Sequence, residues 1–111
     1  MYKNLDVCDF QNEFCAYGRG DSFSFKGYKE LFNYLENNYP DEELDVIAID
    51  SDFVELTPQE YFNNYMKHQG EDIGDYCYSG KIQMDWVKKY AEKKTTVINV
   101  DSSTFIIANN Y

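Results

Sequence analysis

Hydrophobic positions recur along this chain at two periods, and the changes of period divide it into elements. Phe10 and Phe14 stand four apart between Asp9, a capping residue type, and the stop Gly18-Arg19-Gly20. That spacing predicts a short helix over Asp9 to Tyr17. Phe25, Tyr28, Phe32, Leu35 and Tyr39 then recur at helical spacing, with Leu31 widening the stripe and Pro40 closing it. A helix over Ser24 to Tyr39 follows. Leu44 to Ile49 is near-continuously apolar and β-branched, which predicts a strand covered on both faces and continuing or bending through Asp50 to Leu56.

Thr57-Pro58-Gln59-Glu60 combines a capping box with proline at the first helical position, so a third helix is expected through Phe62, Tyr65 and Met66 to about Gln69, where Gly70 ends it. Residues 70–80, with Gly70, Gly74, Ser79 and Gly80 among Asp72 and Asp75, read as a loop. Met84, Val87 and Ala91 share one stripe of a fourth helix over Ile82 to Lys93, with Trp86 and Tyr90 beside it. Lys88, Lys89, Lys93 and Lys94 gather at its end, where cations favour the helix dipole. Thr95–Val100 and Thr104–Ala108 are β-rich on either side of Asp101-Ser102-Ser103, a hairpin pattern. The expected architecture is a single α+β domain: about four helices packed on a small sheet of about three strands, ending in a β-hairpin.

Composition alters this picture in one respect. Phe, Tyr and Trp total 20, more than the 18 of Leu, Ile and Val combined. Eleven tyrosines bring hydroxyls that need partners or water, so some tyrosines are expected at the surface, where they suit protein contacts. A chain of 111 residues forms one domain and buries roughly 65% of its unfolded surface, enough to fold without metal or disulfide staples. No apolar stretch approaches the ~18 residues that span a bilayer, so no membrane insertion is expected. Three cysteines at irregular spacing and no signal-peptide pattern predict reduced thiols in a reducing cytosol.

Charge is the strongest signal. Twenty acids face ten bases, a net charge of -10, which excludes direct binding to a phosphate backbone. Residues 1–75 hold 17 acids and 5 bases, while residues 76–111 hold 3 acids and 5 lysines. Between Lys29 and Lys67 there is no Lys or Arg, yet Glu30, Glu36, Asp41, Glu42, Glu43, Asp45, Asp50, Asp52, Glu55 and Glu60 accumulate. Apolar residues interleave with them, so this block folds instead of forming a solvated tail.

Little in the chain points to catalysis. His68 is the only histidine, and the pairing of Cys8 or Cys77 with it would depend on the fold; buried cysteines and a helix-end histidine are the simpler expectation. The cysteines and histidine show no zinc spacing, and no phosphate-binding glycine loop is present, so neither metal nor cofactor is expected. Asp50-Ser51-Asp52 lacks the glycine and distal glutamate of a calcium loop and reads as a solvated strand end. Gly18-Arg19-Gly20-Asp21-Ser22 spells an integrin-recognised peptide, but also an ordinary helix connector.

The acidic block reads as a solubilising surface or as a mimic of a nucleic-acid backbone. Phosphates repeat about every 3.4 Å along a DNA strand, close to the rise of a β-strand, while side chains four apart on a helix sit roughly 5–6 Å from one another. Asp45, Asp50, Asp52 and Glu55, extended by Asp41, Glu42 and Glu43, would therefore offer carboxylates at phosphate-like spacing. Glu36, Tyr34 and Tyr39 complete the candidate partner-binding set.

The stretch from Gly18 to Glu36, with Ser22-Phe23-Ser24-Phe25 and Phe32-Asn33-Tyr34-Leu35-Glu36, followed by Glu43-Leu44-Asp45-Val46-Ile47-Ala48, resembles small acidic proteins of bacteriophages and mobile elements. Those proteins close on a short hairpin like Thr95 to Ile107. The resemblance implies counter-defence of the anti-CRISPR or anti-restriction type, hence a non-enzymatic inhibitor of a bacterial CRISPR effector or restriction enzyme. Its relatives carry cysteines after the strand where this chain has Asp50-Ser51, so no cysteine role carries over. The alternative is an adaptor that binds a protein partner through exposed tyrosines.

Overall fold

The computed structural model describes residues 6–39 and 44–108. Helix α1 spans Val7–Ala16 and is capped by Asp6 rather than Asp9. Asp6 Oδ1 accepts from the Asp9 amide at 2.9 Å, and Asp9 Oδ2 accepts from the Asp6 amide at 3.2 Å. The two aspartates form a reciprocal capping box, so the residue read as the cap is its third position. At the other end Gly18 adopts φ +72°, and the amides of Gly18 and Arg19 donate to the carbonyls of Cys15 and Phe14 at 3.0 and 2.8 Å. This is a Schellman stop, and its left-handed residue favours glycine.

Helix α2, Phe25–Asn38, starts where the sequence predicts, with Ser24 Oγ accepting from the Gly27 amide at 3.0 Å. The segment expected as a strand is instead helix α3, Val46–Asp52. Asp45 caps it by accepting from the Ala48 amide at 3.1 Å. A strand covered on both faces would bury all four of Val46, Ile47, Ala48 and Ile49. Here only Val46 and Ile49, three apart, face the core, while Ile47 and Ala48 are exposed. The cap and a one-sided core override the β-propensity of the branched residues.

Strand β1, Phe53–Leu56, follows without a break. The capping box at Thr57 and Glu60 forms as predicted, with bonds of 2.9 and 3.1 Å. Helix α4, however, covers only Pro58–Tyr61 before widening into a π-turn over Phe62–Met66 and a 3₁₀ turn over Lys67–Gln69. This path buries Tyr61, Phe62 and Met66 together. Gly70, at φ +82°, ends the segment.

The predicted loop over 70–80 contains a 3₁₀ turn, Ile73–Tyr76, and a small hairpin of β2, Cys77–Tyr78, with β3, Lys81–Ile82. Ser79 and Gly80 both have positive φ, as a two-residue hairpin turn of the primed type requires. Because Lys81 and Ile82 are paired in this hairpin, helix α5 begins two residues later than expected and spans Met84–Glu92. Strands β4, Val97–Asn99, and β5, Phe105–Ala108, are shorter than predicted and pair antiparallel.

The main sheet has the order β1-β5-β4, all antiparallel, with β5 central and its four residues buried. Side chains of β5 alternate between two cores. Ile106 joins Phe10, Phe14, Tyr28, Leu31 and Phe32 beneath α1 and α2, while Phe105 and Ile107 join Leu56, Tyr61, Met66, Val87 and Ala91 beneath α4 and α5. The domain is α+β, with five α-helices among the described residues and helices on both faces of the sheet. Ring contacts fill the first core: Phe14 lies 5.2 Å and Phe23 5.4 Å from Tyr28, both edge-on. No helix among the described residues is long and apolar enough to cross a membrane.

Candidate partner-binding surface

Four of the predicted carboxylates lie on α3 and β1, and the fold gives them different tasks. Asp45 is the α3 cap. Asp50 pairs with the Arg19 guanidinium, which ties the turn after α1 to α3. Asp52, the last residue of α3, is exposed.

Glu55 on β1 is a latch. Its carboxylate accepts from the Ser24 amide at 2.7 Å, from Ser24 Oγ at 2.8 Å and from Thr104 Oγ1. One side chain thereby joins the start of α2, the edge strand β1 and the entry to β5. Gly27 permits the approach, because a Cβ there would lie 2.3 Å from Glu55 Oε1.

These placements correct the expected comb of carboxylates. A helix rises about 1.5 Å per residue, so Asp45 and Asp52 lie about 10 Å apart along α3 instead of following a strand at phosphate spacing. Residues two apart on a helix do not face the same way, so Asp50 and Asp52 form no clamp for a cation, and Asp50-Ser51-Asp52 is a helix end rather than a strand end. Among the described residues, no group of three or more His, Cys, Asp or Glu could hold a metal ion.

Glu36 is half-buried on α2. Tyr34, also half-buried, touches Phe53 at a ring-centroid distance of 6.0 Å and Tyr39 at 6.4 Å, both edge-on. Tyr39 is 47% exposed at the outer end of this ladder. The structure thus brings Tyr34 onto Phe53, the residue after Asp52, and sets Tyr39 edge-on against Tyr34. Asp41, Glu42 and Glu43 lie outside the described residues.

The sequence reading also missed two features. Ile47 is exposed at 48%, on the helix expected to be a strand. Cys8 and Cys15 are exposed and Cys77 half-buried, so the thiols expected inside the core are not there. His68 sits exposed on the 3₁₀ turn that closes the α4 segment.

None of the perturbed titrations belongs to a residue of α3, although the charge of Asp50 adds to the shift of Tyr28. Burial raises the Tyr28 hydroxyl above the ordinary tyrosine range. Burial and the charge of Glu71 do the same for Tyr76 and Tyr90. Asp101 is held below the usual carboxylate range by the amides of Ser103 and Thr104, aided by Lys26 and Lys88. These four groups fit turn-forming and packing roles. No family model matches the chain, and neither a curated protein nor a solved structure matches it.

Proposed function

We propose that the chain is a non-enzymatic inhibitor of the phage and mobile-element type, which occupies the nucleic-acid groove of a bacterial CRISPR effector or restriction enzyme with carboxylates. The observation that carries this reading is the charge: -10 over 111 residues, with no Lys or Arg between Lys29 and Lys67. A groove built for phosphates attracts such a surface, speeds encounter and loses affinity as salt rises. With Asp45 taken up as a helix cap, Glu55 as a latch and Asp50 covered by Arg19, the carboxylates open to a first contact are exposed Asp52 and the Asp41-Glu42-Glu43 run, with the edge-on ladder of Phe53, Tyr34 and Tyr39 beside Asp52.

The second reading is an adaptor that binds through tyrosines, and the Tyr39–Tyr34–Phe53 ladder favours it. Capture from a bacterial lysate separates the two. The variant carrying Asp41→Asn, Glu42→Gln, Glu43→Gln and Asp52→Asn should lose the partner that the wild-type chain retains, whereas Tyr39→Ala should weaken capture only in part. Retention by the neutralised variant with loss by Tyr39→Ala would replace the first reading with the second.

A further inference from the structure

Arg19 is the only arginine of the chain, and its guanidinium Nη1 donates to Oδ2 of Asp50, a carboxylate of the acidic block. The two side chains are unequally sheltered, Asp50 being 16% exposed and Arg19 40%. A half-exposed cation therefore covers a mostly sheltered carboxylate.

The backbone under Arg19 does not depend on that pair. Its amide donates to the Phe14 carbonyl at 2.8 Å as part of the α1 stop. The carbonyls of Arg19 and Gly20 accept from the Tyr28 hydroxyl at 3.0 and 2.9 Å, and Tyr28 is fully buried. The Arg19 side chain can thus swing out while the turn keeps its course. Half-exposed ion pairs hold weakly, so another guanidinium at the same carboxylate competes on nearly equal terms. Ile47, exposed one helical turn before Asp50, adds apolar surface beside the carboxylate.

We propose that Asp50 is a guanidinium seat that Arg19 keeps filled, and that an arginine of a basic partner takes it over on binding. The proposal rests on the acidic-surface reading above and adds the ligand's chemistry to it: an arginine side chain on a cationic surface. Arg19 is then an internal competitor. Removing it strengthens binding by more than the change in net charge alone would.

The test titrates the ¹⁵N-labelled full chain with unlabelled hexa-arginine peptide at low ionic strength. With one arginine in the chain, its Nε–Hε cross-peak is unique. As the peptide saturates, this peak should move to the position of free arginine, while the Arg19 and Gly20 backbone amides shift little. By calorimetry R19Q should bind about threefold tighter than K67Q, which has the same net charge, since an exposed pair is worth a few-fold in affinity.

An Arg19 peak that stays in place at saturation, or equal affinity of R19Q and K67Q, overturns the seat. The acidic-surface reading survives that result if the peptide still binds with steep salt dependence. Failure of wild type and both variants to bind the peptide at any salt overturns both. The cross-peak measurement needs no substitution, so it stands even where R19Q folds poorly.

Discussion

Replacing Glu55 with alanine removes a carboxylate that accepts three hydrogen bonds, from the Ser24 amide, Ser24 Oγ and Thr104 Oγ1. Bonds to a charged acceptor contribute about 1.5–3 kcal/mol each when buried. Glu55 is half-buried and Ser24 exposed, so water replaces part of what is lost. About 1 kcal/mol per bond is the appropriate scale, for a total of about 2–3 kcal/mol. Ser24 Oγ still caps α2 through the Gly27 amide, so the helix persists while its attachment to the sheet weakens. For a domain of this size the loss corresponds to a fall in Tm of about 10–15 °C, readable by circular dichroism melts. Asp52→Asn, at an exposed site on the same segment, should stay within about 0.5 kcal/mol of wild type. A Glu55→Ala melt within 2–3 °C of wild type, or equal effects of the two substitutions, would refute the latch. The distinction matters for function, since a Glu55 variant that loses partner binding has also lost stability.

Gly27→Ala places a methyl 2.3 Å from Glu55 Oε1 and should cost about 1–3 kcal/mol, although alanine is the better helix former; denaturant melts of Gly27→Ala alone and combined with Glu55→Ala should show the penalty shrinking when the carboxylate is gone. Burial raises the Tyr28 hydroxyl above its unfolded value, so its contribution is fully present below about pH 10 and is lost as pH rises through the folded value. Alkaline melts should therefore show stability falling above about pH 10, with tyrosinate absorbance appearing together with unfolding rather than before it. Ionisation of all described tyrosines in the intact fold at that pH would contradict the burial of Tyr28.

Much of the local structure was legible because its signals are short-range. Ser24 and Thr57 are caps whose partners lie three residues on, and the stripe of Tyr28, Leu31, Phe32 and Leu35 has a period that only a helix satisfies. Helix α3 was misread because Val46 to Ile49 has strand composition, although Asp45, three residues before Ala48, carries the capping signal that decides the segment. The roles of the acids were not legible. Glu55 reaches Ser24 across 31 positions and Thr104 across 49, and Arg19 reaches Asp50 across 31, contacts that exist only once the sheet and α3 have formed. Charge told how many carboxylates the segment holds, but only packing separated Asp52 from those holding the fold together.

The central claim, that this acidic surface binds a cationic nucleic-acid-processing protein, is tested most directly by identifying the protein captured from a bacterial host lysate and measuring its affinity across a salt series. The account predicts a basic nuclease or CRISPR effector whose affinity falls steeply and linearly in log–log form as salt rises. An acidic or neutral partner, or an affinity indifferent to salt, would contradict it.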